Sequence, residues 1–131
     1  MKSLRRDYGL VFALALAIRL WAALPQTQPN YMDASYYLVG GQRLAQGYGF
    51  NDPYVWNYLD QPQSLPQPSH LYWMPLPSIL VAASQSIFGT NYRAAQIPFV
   101  FLALALPALT YPITLAFDYL LLRTILSTIT V

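Results

Sequence analysis

Asp33 is the carboxylate best placed to do chemistry in this sequence. It follows the first apolar block and is flanked by Tyr31, Tyr36 and Tyr37. A carboxylate at a bilayer surface, among aromatic rings, can serve as a general base or hold a divalent metal. The plainer reading is a helix N-cap. Both roles can coexist, because a carboxylate has two oxygens. His70 is the one histidine in the chain. Ahead of Leu71-Tyr72-Trp73 it reads either as an interface residue or as a donor to a phosphate or sugar hydroxyl. Arg19 and Arg43 are candidate anchors for an anionic headgroup, since a guanidinium matches phosphate geometry. Their plainer roles are snorkelling and a solvated helix face. Tyr54, Trp56 and Tyr58 alternate along an extended stretch, suited to stacking on sugar rings or to packing the loop. Asp52 and Asp60 read as turn residues.

Much chemistry is excluded. The chain has no cysteine, so disulfides, zinc thiolates and thiol catalysis are out. A single histidine rules out a His-based metal cluster, and Ser–His–Asp catalysis would need His70 with partners that nothing specifies. The sequence has no Gly-rich phosphate loop, no HExxH and no GxSxG. No metal site and no cofactor is assigned.

The elements that carry these residues belong to a membrane protein. Charged residues make up 9% and hydrophobic residues 56%, and no Glu occurs. A soluble surface needs far more charge, about 25% in ordinary globular chains. The apolar residues also come in blocks. Net charge is +2, with Lys2, Arg5 and Arg6 clustered at the amino end and no later basic footprint for nucleic acid.

The first block, 8–24, nearly spans a hydrocarbon core. A signal peptide is the competing reading, but Arg19 interrupts the run and Leu24-Pro25 makes a poor cleavage site. The positive-inside rule places the amino end in the cytoplasm and 25–70 outside, in a multi-pass plasma-membrane protein. This outer loop is too aromatic to be a disordered linker. It opens with a surface helix that has Asp33 as candidate N-cap, Gly47 as its stop, and Tyr37, Gly41, Leu44 and Ala45 on one face. From Asn51 to Ser69 an irregular, ordered loop is expected. A second span is expected over 71–88, then a tight inner turn at Gly89–Arg93 with Arg93 cytoplasmic. The third span is 94–117, kinked at Pro98, Pro107 and Pro112, with neighbours satisfying the freed carbonyls. Residues 118–131, broken by Asp118 and Arg123, form a divergent tail or part of a fourth span. The expected fold is an all-α membrane protein of about three transmembrane helices, forming a single membrane domain with a long outer loop.

An ordered set of short motifs then points to a family. Arg19-Leu20 ends the first helix, and Met32-Asp33-Ala34-Ser35-Tyr36-Tyr37 follows. Next come Gly41-Gln42-Arg43-Leu44-Ala45-Gln46-Gly47-Tyr48-Gly49-Phe50 and His70-Leu71-Tyr72-Trp73-Met74-Pro75-Leu76-Pro77. Ile87-Phe88-Gly89 and Arg93-Ala94-Ala95-Gln96-Ile97-Pro98 complete it. This pattern resembles the amino-terminal part of polytopic glycosyltransferases of the C-type fold, related to family 39 and to the protein O-mannosyltransferase and aminoarabinose-transferase enzymes. The resemblance covers Tyr8 to about Tyr111.

The resemblance implies transfer of a sugar from a polyprenyl-phosphate donor to an acceptor hydroxyl at the outer face of the membrane. It implies Asp33 as the catalytic acid residue of the first outer loop. Arg19 and His70 fall at positions similar to the family pattern. With Arg43, Tyr36 and Tyr37 they form the expected substrate-binding set. Ala34 stands where many relatives carry a second acid, so no paired-carboxylate mechanism is carried over. Expected partners are the lipid-linked donor, membrane lipids and further membrane subunits. Such enzymes are several times longer, so the chain is expected to be an amino-terminal fragment, inactive alone. The alternative is a small non-catalytic membrane protein or subunit that presents its aromatic outer loop to a partner.

Overall fold

The apolar amino-terminal block forms an unbroken helix, α1, over Lys2–Ala23, and Arg19 sits exposed within it. A computed structural model describes residues 2–55 and 61–129. The remaining elements are α2 (Met32–Ala45), β1 (Asn51–Asp52), β2 (Gln67–Pro68), α3 (Leu76–Phe88) and α4 (Tyr92–Ile129). The fold is all-helical apart from one antiparallel pairing, with Asn51 opposite Pro68 and Asp52 opposite Gln67. The chain divides into two units, Met1–Ala23 with Val100–Val131 and Leu24–Phe99.

The first unit holds α1 and most of α4. Over Tyr92–Ile125, α4 is long and apolar enough to cross a membrane, and among the described residues it alone meets that standard. Its 38 residues reach about 57 Å at about 1.5 Å per residue, well beyond a hydrocarbon core of about 30 Å. The helix itself runs on past the expected span boundary at 117. The helix continues through Asp118 and Arg123 because nothing there breaks a helix. Its prolines do not end it either. A proline at position i leaves the carbonyl of i−4 without its helical donor. Pro112 thus orphans the Ala108 carbonyl, and the Tyr8 hydroxyl donates to that oxygen at 2.9 Å. The two tyrosine rings of Tyr8 and Tyr111 lie 5.8 Å apart.

The second unit is built on α2 and α3. Tyr31, in an extended conformation, is the N-cap of α2 and supplies no side-chain cap. Asp33 lies one step inside, in the first turn, so its expected capping role is corrected: its backbone is already helical. The carboxylate is still favourably placed at the positive end of the helix. Gly47 does act as the stop. It has φ of 83°, its N–H bonds the Leu44 carbonyl, and the Tyr48 N–H bonds the Arg43 carbonyl. This paired closure is a Schellman motif. The face of α2 that packs inward carries Tyr36, Gly40 and Gly41; of the expected Tyr37, Gly41, Leu44 and Ala45 face, Gly41 is buried and the other three are half-buried.

The reason is close approach to α3. A methyl group on Gly41 would sit 2.5 Å from Val81 Cβ, and one on Gly40 would sit 2.8 Å from Ser78 Oγ. Two adjacent glycines inside a helix cost about 1 kcal/mol each in propensity, which this contact offsets. α3 has 13 residues, about 20 Å at about 1.5 Å per residue, short of the span expected over 71–88. Pro75 and Pro77 sit at its start, where proline is tolerated.

The turn after α3 is tight as expected. Asn91 Oδ1 accepts the Ala94 N–H at 2.9 Å and caps α4, while Gln85 Nε2 donates to the Asn91 carbonyl at 3.0 Å. Arg93 donates to the Leu24 carbonyl at 2.6 Å. Leu24 and Arg93 were expected on opposite membrane faces. The structure brings the two within hydrogen-bond distance.

Candidate functional site

The second unit gathers its aromatic and polar side chains around Tyr36, which is only 3% exposed. α2 holds Tyr36 against His70, their rings 5.1 Å apart. The His70 N–H donates to the Tyr36 hydroxyl at 2.6 Å. His70 has φ of 61°, in the left-handed region that a side chain with a Cβ rarely enters. That conformation turns its N–H towards Tyr36 and its ring into the unit.

Both ring nitrogens are engaged. Ser78 Oγ donates to the Tyr37 carbonyl at 3.1 Å, so a lone pair of Ser78 faces His70 Nε2 at 3.0 Å. The proton of this neutral imidazole therefore sits on Nε2. His70 Nδ1 then accepts from Ser69 Oγ at 2.7 Å. Burial pushes the His70 pKa below its ordinary value, in keeping with a neutral ring held between two hydroxyls.

Three more rings frame the cluster. Trp73 lies 5.1 Å from Tyr36, and Phe50 meets His70 edge-on at 5.4 Å. Tyr37 is edge-on to Tyr36 at 5.4 Å. These spacings are those of favourable aromatic pairs. Beside them lies a small cleft lined by Tyr36, Asp52, Pro68, His70, Leu71, Tyr72 and Trp73. Its room of about 10 Å³ fits about one water molecule. Asp52 is 3% exposed, which corrects its reading as a turn residue: the strand pairing with Gln67 carries it inward. Burial, then the charge of Asp52, then Tyr36, pushes the Tyr54 hydroxyl pKa above its ordinary value. A Tyr54 phenol kept protonated beside a carboxylate is a hydrogen-bond donor, not a base.

The expected site residues are thus only partly united. Tyr36 and His70 meet, and Tyr37 supports them through its carbonyl. Asp33 is exposed on the first turn of α2 and does not line the cleft. Arg43 is already committed. Its Nε donates to Asn51 Oδ1, and its guanidinium lies 4.8 Å over the Tyr48 ring. It braces the loop after α2. Arg19 belongs to the other unit. Trp56, Tyr58 and Asp60 lie outside the described residues. Sequence reasoning did not find Asp52, Ser69, Ser78 or the site role of Trp73. The signal for Ser78 was the Gly40-Gly41 pair, which demands a small partner across the helix interface. Among the described residues no group of three or more His, Cys, Asp or Glu could hold a metal. Compared with known protein families, curated proteins and solved structures, the chain matches none.

Proposed function

We propose that this chain is the amino-terminal part of a membrane glycosyltransferase, which moves a sugar from a polyprenyl phosphate to a hydroxyl acceptor at the outer membrane face. The observation that carries the reading is convergence. The Met32–Tyr37 and His70–Pro77 motifs, on which the resemblance rests, meet at the Tyr36–His70 hydrogen bond. An aromatic platform with an imidazole beside a carboxylate suits a sugar ring. In the reaction the bond from the anomeric carbon to the phosphate oxygen breaks, and a bond to the acceptor oxygen forms. The acceptor proton passes to a carboxylate, and the phosphate leaves with the electron pair. Asp33 is the base that the resemblance offers, and its exposure lets an acceptor reach it. Arg19, in the other unit, is carried over only as a position similar to the family pattern.

A crossing by α4, with the first apolar block as a second, supports this reading without a crossing by α3. α3 is too short to span, and the Arg93–Leu24 contact supports both ends of residues 24–99 lying on one side. The positive-inside rule, applied to Lys2, Arg5 and Arg6, favours the outer side.

The second reading is a non-catalytic membrane subunit. It is favoured by the water-sized cleft and by an imidazole whose two nitrogens are satisfied within the chain. The test uses the chain in lipid vesicles with a radiolabelled polyprenyl-phosphate sugar. Saturable binding or transfer, weakened by His70→Ala, supports the glycosyltransferase. Neither binding nor transfer, by this chain or by a longer version extended at its carboxyl end, leaves the subunit reading.

A further inference from the structure

α3 is amphipathic in the inverse sense. Its inward face carries Ser78, Val81, Ser84 and Gln85, and Ser78 is fully buried. Each of the three polar side chains has a defined partner: His70 and the Tyr37 carbonyl for Ser78, the Ala94 carbonyl for Ser84, and the Asn91 carbonyl for Gln85. The outward face carries Leu76, Ile79, Ala83 and Ile87 at helical spacing, and Leu76 and Ile87 are 60% and 75% exposed. Ser86, at the edge of this face, turns its hydroxyl back to the Ala82 carbonyl at 2.8 Å. The outward stripe therefore offers no donor that needs water. A helix facing water places these residues the other way round. Polar groups turned inward, all bonded except the buried Gln85 Oε1, and an apolar stripe outside suit hydrocarbon as solvent.

We propose that the Leu76–Ile79–Ala83–Ile87 face of α3 rests on lipid acyl chains at the membrane interface, as a helix that lies in the surface without crossing it. The tether argues for lipid over a protein partner. Ser84 and Gln85 bind α3 to the first turn of α4, and α4 is the helix long and apolar enough to cross. The outward stripe is thus joined through one short turn to the helix that would be embedded. Tyr72 and Trp73, just before α3, are residues typical of the headgroup level. The proposal rests on α4 being embedded, and the test separates the two.

The chain has no native cysteine, so single-cysteine variants can carry nitroxide labels in phosphatidylcholine–phosphatidylglycerol vesicles. Ile79→Cys, Ala83→Cys and Ile87→Cys report α3, and Leu106→Cys reports α4. Collision with oxygen is compared with collision with a water-soluble nickel chelate. Oxygen-favoured collision at all three α3 sites, at one shallow depth and with Leu106 deeper, is expected. Depth rising steadily from Ile79 to Ile87 would mean a spanning helix and overturn the proposal. Protection from both reagents would mean a protein partner and also overturn it. Water exposure at α3 with Leu106 in lipid defeats the proposal alone; water exposure at both defeats the membrane reading as well.

Discussion

Ser84 Oγ donates to the Ala94 carbonyl at 2.6 Å, and that carbonyl lacks its helical donor because Pro98 stands four residues later. A hydroxyl from α3 thus replaces the bond that a proline removed from α4. Tyr8 does the same for the carbonyl orphaned by Pro112. Ser84→Ala should destabilise the chain by about 1–3 kcal/mol, the usual cost of an unpaired buried group. In the Pro98→Ala background the backbone N–H returns, and the same change should cost much less. A double-mutant cycle on unfolding in detergent measures the difference. Equal costs in both backgrounds would falsify the compensation.

Gly41→Ala should weaken α2–α3 packing although alanine is the better helix former. The new methyl meets Val81 at 2.5 Å from its Cβ, and overpacking costs about 1–3 kcal/mol. Val81→Ala should restore part of the loss in the double variant. Thermal unfolding of the four proteins decides this, and a stabilised Gly41→Ala would show that α2 and α3 are not in contact.

Acid should loosen the Tyr36–His70 cluster. Burial lowers the pKa of His70 in the folded chain, so the unfolded chain binds the proton more readily. The stability contributed by neutral His70 is then complete above the unfolded value, about 6.5, and is lost as pH falls towards and through the lowered folded value. His70→Gln should flatten this part of the pH–stability curve. An unchanged slope in the variant would show that His70 is not the group responsible.

Asp33 and Asn91 should separate cleanly as helix-terminus residues. Asn91→Ala removes the Oδ1 that caps α4 and should cost about 1 kcal/mol, with Asn91→Ser retaining most of it. Asp33→Asn removes only a first-turn charge, worth about 0.3–1 kcal/mol at an exposed site. Circular dichroism should therefore show α2 intact in Asp33→Asn. If sugar transfer is established for a longer version of the chain, Asp33→Asn should abolish it while expression is kept. Transfer that persists in Asp33→Asn and disappears in Asp52→Asn would move the base into the cleft.

Composition and punctuation alone determined much of this protein. Charge too sparse for a soluble surface, a helix over the first apolar block, a helix stopped at Gly47 and a tight turn opening at Gly89 are all local consequences of residue type. They depend on propensity, φ angles and hydropathy, and these act over a few neighbours. Tertiary structure decided the rest. Ser78, Ser84 and Gln85 lie among apolar residues in α3, so their segment reads as a lipid-spanning block until their partners on α2 and α4 are known. Asp52 reads as a turn residue until Gln67 pairs with it and draws it inward. Arg43 reads as a free anchor until Asn51 and Tyr48 occupy it. Tyr36 and His70 become one site only when α2 packs on α3, because contacts between distant segments follow from which faces fit together, and two glycines in α2 set that fit.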